Sequence, residues 1–158
     1  MIPIFDPYLS GNEKKYLKEC LKNNWISSQG SYVKKFENKL ARYHKSKHAI
    51  ATSSCTSALH LSLKVLNIGY GDEVICPALT FIAPVNMIIL SGAKPILVDI
   101  DNETLNIDPN LIEKKITKKT KAIIIVHYGG FSCEMDKILR LKKKYNLFLI
   151  EDAAHAFL

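Results

Sequence analysis

From residue 48 onward the chain alternates between short β-type runs and helical patterns, and this alternation constrains the fold more than any other feature. Runs rich in branched and apolar residues begin at positions 49, 73, 95, 122 and 147, so successive starts lie 22 to 27 residues apart. This spacing is typical of a strand followed by a crossover helix and its turns. Helical patterns fill the intervals, at 56–66, 83–90, 109–116 and 134–145.

One of these runs, Ile123-Ile124-Ile125-Val126, shows no alternation of apolar and polar residues. A strand that is apolar on both sides is expected where helices cover both faces of a parallel sheet. The sequence therefore predicts an α/β fold, with a mostly parallel sheet and helices on both faces. Local end signals agree, since Asp108 can cap the helix at 109–116 and Gly92 can close the helix at 83–90.

Residues 1–47 have a different pattern, which predicts an N-terminal helical segment ahead of an α/β part at 48–158. Ser10-Gly11-Asn12-Glu13 has the spacing of a capping box, which predicts that a first helix begins there. Ser31 can cap a second helix. The loop between the two helices carries Trp25, the only tryptophan of the chain, and on residue type alone we interpret it as an anchor in the core.

Composition limits the classes of function. A chain of 158 residues that is 47% hydrophobic, with 7 Gly and 6 Pro, is typical of one globular unit and is neither disordered nor collagen-like. No run of about 18 uncharged apolar residues is present, and the start of the chain lacks the pattern of a secretory signal, so no membrane partner is predicted. Four isolated cysteines predict reduced thiols in a cytoplasmic protein, and the histidine spacing predicts no metal site.

The formal net charge of +7 raises the question of a polyanionic partner. All but two of the 22 basic residues are lysines, and arginine is the better residue for phosphate forks and base edges. The densest basic run, at 114–121, contains no aromatic residue on which a base could stack. A solvated face is therefore favoured over a nucleic-acid patch, and a preference for anionic substrates is the alternative interpretation of the basic excess.

Ligands of open parallel sheets bind outside the carboxyl ends of the strands, which directs attention to the segments that follow each run. Thr52-Ser53-Ser54-Cys55-Thr56-Ser57 leads into a predicted helix, where free backbone N–H groups can cradle a phosphate. An N-cap with redundant serines explains that segment equally well. Phe81 follows the run at 73–76 and can stack on a flat ligand, although core filling is the commoner fate of a phenylalanine.

The last run is followed by Glu151-Asp152-Ala153-Ala154-His155-Ala156, in which two alanines separate the carboxylate of Asp152 from the imidazole of His155. The apolar run before it predicts partly dry surroundings for Asp152. A carboxylate in such surroundings needs a cationic partner or tends to protonate, and a protonated pyridinium would serve as that partner. The usual glycine-rich motifs for dinucleotides and nucleoside triphosphates are missing from the sequence.

Taken in order, these segments resemble the DegT/StrS-type family of pyridoxal-phosphate-dependent nucleotide-sugar aminotransferases. No single motif is decisive, and the ordered set with matching separations is what makes the resemblance specific. Its opening is most similar to the members that aminate 4-keto-6-deoxy sugars. The matching segments are Gly11-Asn12-Glu13, Trp25-Ile26-Ser27-Ser28-Gln29-Gly30, Cys55-Thr56-Ser57-Ala58-Leu59-His60-Leu61, Gly71-Asp72-Glu73-Val74-Ile75, Thr80-Phe81-Ile82-Ala83, Val98-Asp99-Ile100-Asp101, Val126-His127-Tyr128-Gly129 and Glu151-Asp152-Ala153-Ala154-His155-Ala156.

The resemblance implies a pyridoxal phosphate cofactor, a nucleotide-sugar substrate and an amino donor, expected to be glutamate. It implies that the backbone donors of Cys55 and Thr56 hold the cofactor phosphate and that Phe81 stacks on the pyridine ring. Asp152 would pair with the ring nitrogen, which makes the ring an electron sink. His155 would lie near the 3-hydroxyl of the ring as a catalytic residue. More loosely, Trp25 and Ser28 would lie near the sugar nucleotide.

The family's Schiff-base lysine follows the Asp152 motif by a few tens of residues, and this sequence ends three residues after His155. The expectation is therefore an incomplete large domain of a fold-type-I enzyme, in which 48–158 is an incomplete cofactor-binding α/β domain. Such a chain alone is expected to be inactive. It would form a homodimer in its complete form. The alternative is a cofactor-binding subunit, either of a split enzyme or without catalytic activity, that needs a complementing C-terminal chain. A basic nucleic-acid module remains a distant third interpretation.

Overall fold

The computed structural model describes residues 6–157, in which two initial helices are followed by four further α-helices that alternate with four strands. The chain divides into two compact units between Ala51 and Thr52, four residues beyond the predicted boundary. The first unit contains two helices, α1 and α2. The second contains the remaining elements. Their bounds are α1 Glu13–Lys22, α2 Ser31–Tyr43, α3 Cys55–Val65, β1 Glu73–Pro77, α4 Ala83–Leu90, β2 Lys94–Val98, α5 Pro109–Ile112, β3 Thr120–Val126, α6 Met135–Tyr145 and β4 Phe148–Asp152.

In the first unit, neither helix start has the cap that the sequence predicts. Helix α1 begins at Glu13, so Glu13 occupies the first helical position, whereas a capping box requires its glutamate at the third. Asn12 takes the N-cap position without a side-chain bond. Helix α2 begins at Ser31 itself, which leaves Gly30 as its N-cap. Both helices are present, but the capping box and the Ser31 cap are wrong.

Trp25 is also placed differently from its residue-type interpretation. Its side chain is 49% exposed, so it is not an anchor in a core. It lies in the loop between α1 and α2, where its backbone N–H donates to the Cys20 carbonyl. Within this unit the rings of Tyr16 and Tyr32 lie tilted against each other with 4.9 Å between their centres, and the hydroxyl of Tyr32 donates to Glu19 at 2.6 Å.

The second unit is built on a parallel sheet with strand order β2-β1-β3-β4. The chain steps from β1 outward to β2 and then returns to the other side of β1 for β3. The crossover direction therefore changes between β1 and β3, and a crevice opens outside their carboxyl ends at such a switch point. In register, Ile75 of β1 faces Ile123 of β3, and Val126 of β3 faces Asp152 of β4.

Helices cover both faces of the sheet, as the apolar run in β3 predicts. Ile124 packs into a core with residues of α3 and α4, including Leu63 and Ile88. Its neighbours Ile123 and Ile125 point to the opposite face and pack against residues of α5 and α6. All three isoleucines are fully buried. This confirms the predicted α/β class with a parallel sheet.

The predicted strand at 49–52 is wrong. These residues are extended, but no strand pairs with them within residues 6–157, and Ile50 is 70% exposed. A short β-type run becomes a strand only where a neighbouring strand takes up its backbone hydrogen bonds. The predicted helix at 109–116 is shorter than expected, since α5 ends at Ile112 and continues as a 3₁₀ turn, Glu113–Lys115. Asp108 caps it as predicted, accepting from the Asn110 N–H.

Candidate active site

A cleft of about 250 Å³ opens in the second unit at the carboxyl ends of β3 and β4. Its lining contains every residue that the sequence assigned to the cofactor site, namely Cys55, Thr56, Phe81, Asp152 and His155. The structure thus brings together three segments that are far apart in the sequence. The individual roles of these residues stay predictions. Trp25 and Ser28, assigned to the substrate, belong to the first unit, and their role also stays a prediction.

One wall of the cleft is the N-terminus of α3. Ser54 is the N-cap of this helix, and its hydroxyl accepts from the Ser57 N–H at 3.2 Å. The N–H groups of Cys55 and Thr56, in the first turn, have no acceptor in the described part of the chain. Free N–H groups at the positive end of a helix dipole favour an anion. The two interpretations of this segment are thus compatible, because Ser54 caps the helix while the next two donors stay free.

Asp152 ends β4 and places a carboxylate on the floor of the cleft. The residue is only 5% exposed. Its Oδ1 accepts from the Ala154 N–H at 3.0 Å and from the Cys55 thiol at 3.3 Å. Among residues 6–157 no donor reaches Oδ2. Oδ2 itself keeps some exposure to the cleft, so a ligand can reach it, and a protonated ring nitrogen is a donor of the right charge.

The bond from Cys55 to Asp152 is a feature that sequence reasoning missed. Residues 55 and 152 lie 97 positions apart, and no sequence pattern links them. Although Cys55 is exposed as a residue, the protein around its sulfur removes part of the water, and Asp152 both accepts a hydrogen bond from the thiol and repels its thiolate. In that order, these effects raise the pKa of the Cys55 thiol to about 11. The thiol is therefore a hydrogen-bond donor at neutral pH and a weak nucleophile.

Phe81 follows β1 and precedes α4, and its ring is 70% exposed at the cleft. This exposure is incompatible with core filling, which residue type alone favoured. Exposed aromatic rings beside a concave site offer a flat surface for a planar ligand. The lining is completed by Ala83 at the start of α4, by Val126 at the end of β3 and by Ala154.

His155 is held at the cleft by the segment that follows β3. Its Nδ1 accepts from the Gly129 N–H at 3.3 Å, and its ring lies edge-on to Tyr128, with 6.1 Å between ring centres. A second histidine, His127, is buried at the end of β3. Its Nδ1 accepts from the Cys133 N–H at 3.1 Å, and its Nε2 lies 3.4 Å from Glu151. The sequence marked the His127 segment only as part of the family resemblance.

The donors and acceptors of the cleft fit the implied cofactor. Pyridoxal phosphate carries a phosphate, a flat ring and a protonatable ring nitrogen. The cleft offers free N–H groups at the α3 N-terminus, an exposed aromatic ring and a buried carboxylate with one oxygen unpaired. In the described residues, no group of three or more His, Cys, Asp or Glu side chains is arranged to hold a metal ion. None of the helices in this part of the chain is long and apolar enough to span a membrane.

Fold and cleft together define an α/β protein with a candidate site at the carboxyl ends of a parallel sheet, where free N–H groups and an exposed aromatic ring suit an anionic, flat ligand. The chain belongs to the DegT/DnrJ/EryC1/StrS aminotransferase family, whose model matches residues 7–158. It is 53% identical over 156 residues to the GDP-perosamine synthase of Escherichia coli O157:H7, an alignment that covers 99% of this chain and 43% of that protein.

Solved structures agree with this assignment. The aminotransferase from Psychrobacter cryohalolentis matches with a TM-score of 0.88 and 39% identity, over 95% of this chain and 38% of that one. NtdA from Bacillus subtilis, solved with bound cofactor PMP, matches with a TM-score of 0.84 and 41% identity, over 89% of this chain and 32% of that one. The chain therefore spans about two fifths or less of the length of these relatives, as expected for the N-terminal part of the family's domain.

Proposed function

We propose that this chain forms one side of the pyridoxal phosphate site of a sugar aminotransferase. The observation that carries the proposal is the geometry of Asp152, whose buried carboxylate keeps Oδ2 unpaired in the same cleft as the free N–H groups of α3. Family membership and a relative of similar structure with bound PMP support it. The activity itself is proposed for the whole protein, because the chain covers only part of its relatives.

Each residue of the cleft has a distinct part in this proposal. The N–H groups of Cys55 and Thr56 bind the phosphate, and Phe81 lies against one face of the ring and excludes water from it. Asp152 holds a proton on the ring nitrogen, because a buried carboxylate favours a cation beside it. When bound, the cofactor withdraws electrons and stabilises negative charge on the carbon next to the transferred nitrogen. The Cys55 thiol keeps Asp152 oriented, and His155 contributes a hydrogen bond near the ring hydroxyl.

The complete protein would move an amino group, with glutamate as the proposed donor, to a keto sugar linked to a nucleotide. The support is the 53% identity to a protein named GDP-perosamine synthase. Trp25 and Ser28 are proposed to contact the sugar nucleotide. The protein would work as a homodimer in the cytoplasm, a compartment favoured by its four free thiols.

Binding of pyridoxamine phosphate to the 158-residue chain tests the cofactor site. This form of the cofactor is the suitable probe because it has no aldehyde and cannot label the many lysines at random. Calorimetric titration should show one site. Asp152→Asn should weaken binding by about 10-fold or more, since the neutral amide no longer attracts the ring cation.

Asp136→Asn is the matched control, because Asp136 is an exposed carboxylate in the first turn of α6. It should bind the probe as the unchanged chain does. Inorganic phosphate should compete with the probe and shift the amide resonances of Cys55 and Thr56. Equal affinity of the Asp152→Asn and Asp136→Asn variants would contradict the assignment of Asp152, and an absence of phosphate competition would contradict that of α3.

A further inference from the structure

The turn that follows β3, Tyr128–Phe131, is exposed but makes specific contacts with His155 and Asn106. Gly129, Gly130 and Phe131 are exposed. Yet the N–H of Gly129 donates to His155, and Tyr128 packs against the same imidazole. The turn therefore contacts His155 through both a hydrogen bond and a ring, and whatever fixes the turn also fixes His155.

Asn106 fixes both ends of this turn. It lies beyond β2, 22 residues before Tyr128, and its side chain is almost fully buried, with the residue only 3% exposed. Its Oδ1 accepts from the Tyr128 N–H at 2.9 Å, and its Nδ2 donates to the Phe131 carbonyl at 3.0 Å. One amide thus satisfies a donor and an acceptor that the turn cannot pair within itself. A buried side chain with this bond pattern is expected to hold the turn in one conformation.

His127 and Cys133 hold the segment on either side of the turn. The Cys133 N–H donates to Nδ1 of His127, and the Cys133 thiol donates to the Val126 carbonyl at 3.3 Å. Both residues are buried. Together with Asn106, these contacts fasten the chain from the end of β3 to the start of α6.

Contact with the turn determines which nitrogen of His155 carries the proton. A neutral imidazole has one N–H, and a nitrogen that accepts a hydrogen bond must be the other one. Because Nδ1 accepts from Gly129, the proton resides on Nε2, which is therefore the donating nitrogen. The backbone also packs closely here, since a Cβ added at Gly130 would lie 3.1 Å from the His155 carbonyl oxygen.

We infer that Asn106 is a positioning residue, which acts through the Tyr128–Phe131 turn to hold His155 with Nε2 as its hydrogen-bond donor. The inference rests on the proposed function for its purpose, because a donor at His155 suits a cofactor with an anionic ring oxygen. Its geometry is independent of the cofactor. The ligand-free chain can therefore be used to test it.

Nitrogen NMR of the uniformly labelled 158-residue chain gives the direct test. The ¹⁵N shifts of His155 should show a protonated Nε2 and an unprotonated Nδ1, and a coupling across the hydrogen bond should link Nδ1 to the Gly129 amide. A protonated Nδ1 in the neutral ring would overturn the inference without any variant.

Two substitutions then distinguish the positioning of His155 by Asn106 from a general effect on the fold. Asn106→Ala should leave His155 as a mixture of both tautomers, whereas Asn102→Ala, at an exposed asparagine in the same connection, should leave it unchanged. A single unchanged tautomer in folded Asn106→Ala would also overturn the inference.

Gly130→Ala leaves the buried Asn106 amide unchanged. If Asn106→Ala does not fold, this variant still tests whether the turn holds His155. Its methyl group would press on the His155 carbonyl, and its φ of +88° is unfavourable for alanine. Gly129→Ala, with φ of +59° and its nearest neighbour a Phe131 ring carbon 4.0 Å away, is the comparison. Gly130→Ala should disturb the His155 tautomer more than Gly129→Ala does. An equal or smaller effect would contradict the inference that the turn holds His155.

Binding of pyridoxamine phosphate is measured separately on the same chains. A protonated Nε2 without binding of pyridoxamine phosphate would support the positioning of His155 and refute the cofactor site. Binding together with a protonated Nδ1 would support the cofactor site and refute the positioning of His155.

Discussion

At the scale of single residues, the contact between Cys55 and Asp152 has the most direct chemical consequence. The thiol donates to the carboxylate, and the surrounding protein removes part of the water from the sulfur. Both effects favour the protonated thiol. A cysteine in the first turn of a helix would ordinarily be a good nucleophile, because the helix dipole favours a thiolate. Here the neighbouring carboxylate reverses that tendency.

We expect Cys55 to react with iodoacetamide roughly 10- to 100-fold more slowly at pH 8 than the same cysteine in the urea-unfolded chain. The reason is its pKa of about 11, against about 8.5 for an ordinary thiol, partly offset by the greater nucleophilicity of a more basic thiolate. The rate should keep rising with pH up to about 11 in the folded chain. Mass spectrometry of the Cys55 peptide measures both rates.

Asp152→Asn is the informative variant for this prediction. It removes the charge that repels the thiolate but leaves the burial of the sulfur, so the pKa of Cys55 should fall only part of the way. Alkylation at pH 8 should become faster than in the unchanged chain. Equal rates in folded and unfolded chains would show that the contact does not protect the thiol.

Residue-scale contacts of this kind are also where sequence reasoning fell short. The sequence identified Cys55 and Asp152 as members of one site, but it assigned only the backbone of Cys55 a part in it. Asn106 was not singled out at all. Its bonds to Tyr128 and Phe131 cross 22 and 25 residues, and no local pattern encodes a bond of that span.

At the scale of elements, helix α3 depends on a single cap. Ser54 Oγ bonds the Ser57 N–H and also lies 3.1 Å from the Ser57 hydroxyl. Ser53 adds only a hydroxyl contact to Ser57, also at 3.1 Å. The three serines look redundant in the sequence, but the structure gives the capping bond to one of them.

Ser54→Ala should lower the free energy of unfolding by about 1 kcal/mol, because one N–H of the first turn loses its acceptor. Ser53→Ala is the control and should cost less than about 0.5 kcal/mol, since it removes only an exposed hydroxyl contact. Urea denaturation at an unchanged m-value measures both. A cost for Ser53→Ala that matches that of Ser54→Ala would mean that the cap is shared.

The elements also show which local signals are reliable. Helix α4 has the predicted bounds, and Asp108 caps α5 as expected, because each depends on residues within a turn or two. The capping box of α1 failed because a shift of its start by two residues moves Glu13 out of the third position. The run at 49–52 failed for a different reason, since a strand needs a partner and this run has none within the described residues.

At the scale of the whole molecule, the two-sided sheet determines where stability resides in the second unit. Ile123 and Ile124 are sequence neighbours on β3, yet they belong to different apolar cores. Both are fully buried. The sheet is therefore covered on each face by packed helices, and the cleft lies at the carboxyl ends of its strands.

Ile123→Ala and Ile124→Ala should each lower the free energy of unfolding by about 2–5 kcal/mol, because each leaves a cavity in a separate core. Lys121→Ala, at an exposed position of the same strand, should cost less than about 0.5 kcal/mol. Denaturant titration of the three variants makes the comparison. If one isoleucine variant were as stable as Lys121→Ala, one face of the sheet would lack its helical cover.

The sequence by itself determined the α/β class, the four strands that form the sheet and the residues that gather at its carboxyl edge. These follow from periodicity and end signals, which act over a few residues, and from an ordered set of family motifs. Only the tertiary structure decided that Cys55 bonds Asp152, that Asn106 holds the turn beside His155, and that no strand within residues 6–157 pairs with the run at 49–52. Those outcomes depend on strand order and on side chains brought together from distant segments, because a hydrogen bond forms between groups that are close in space, however far apart they lie along the chain.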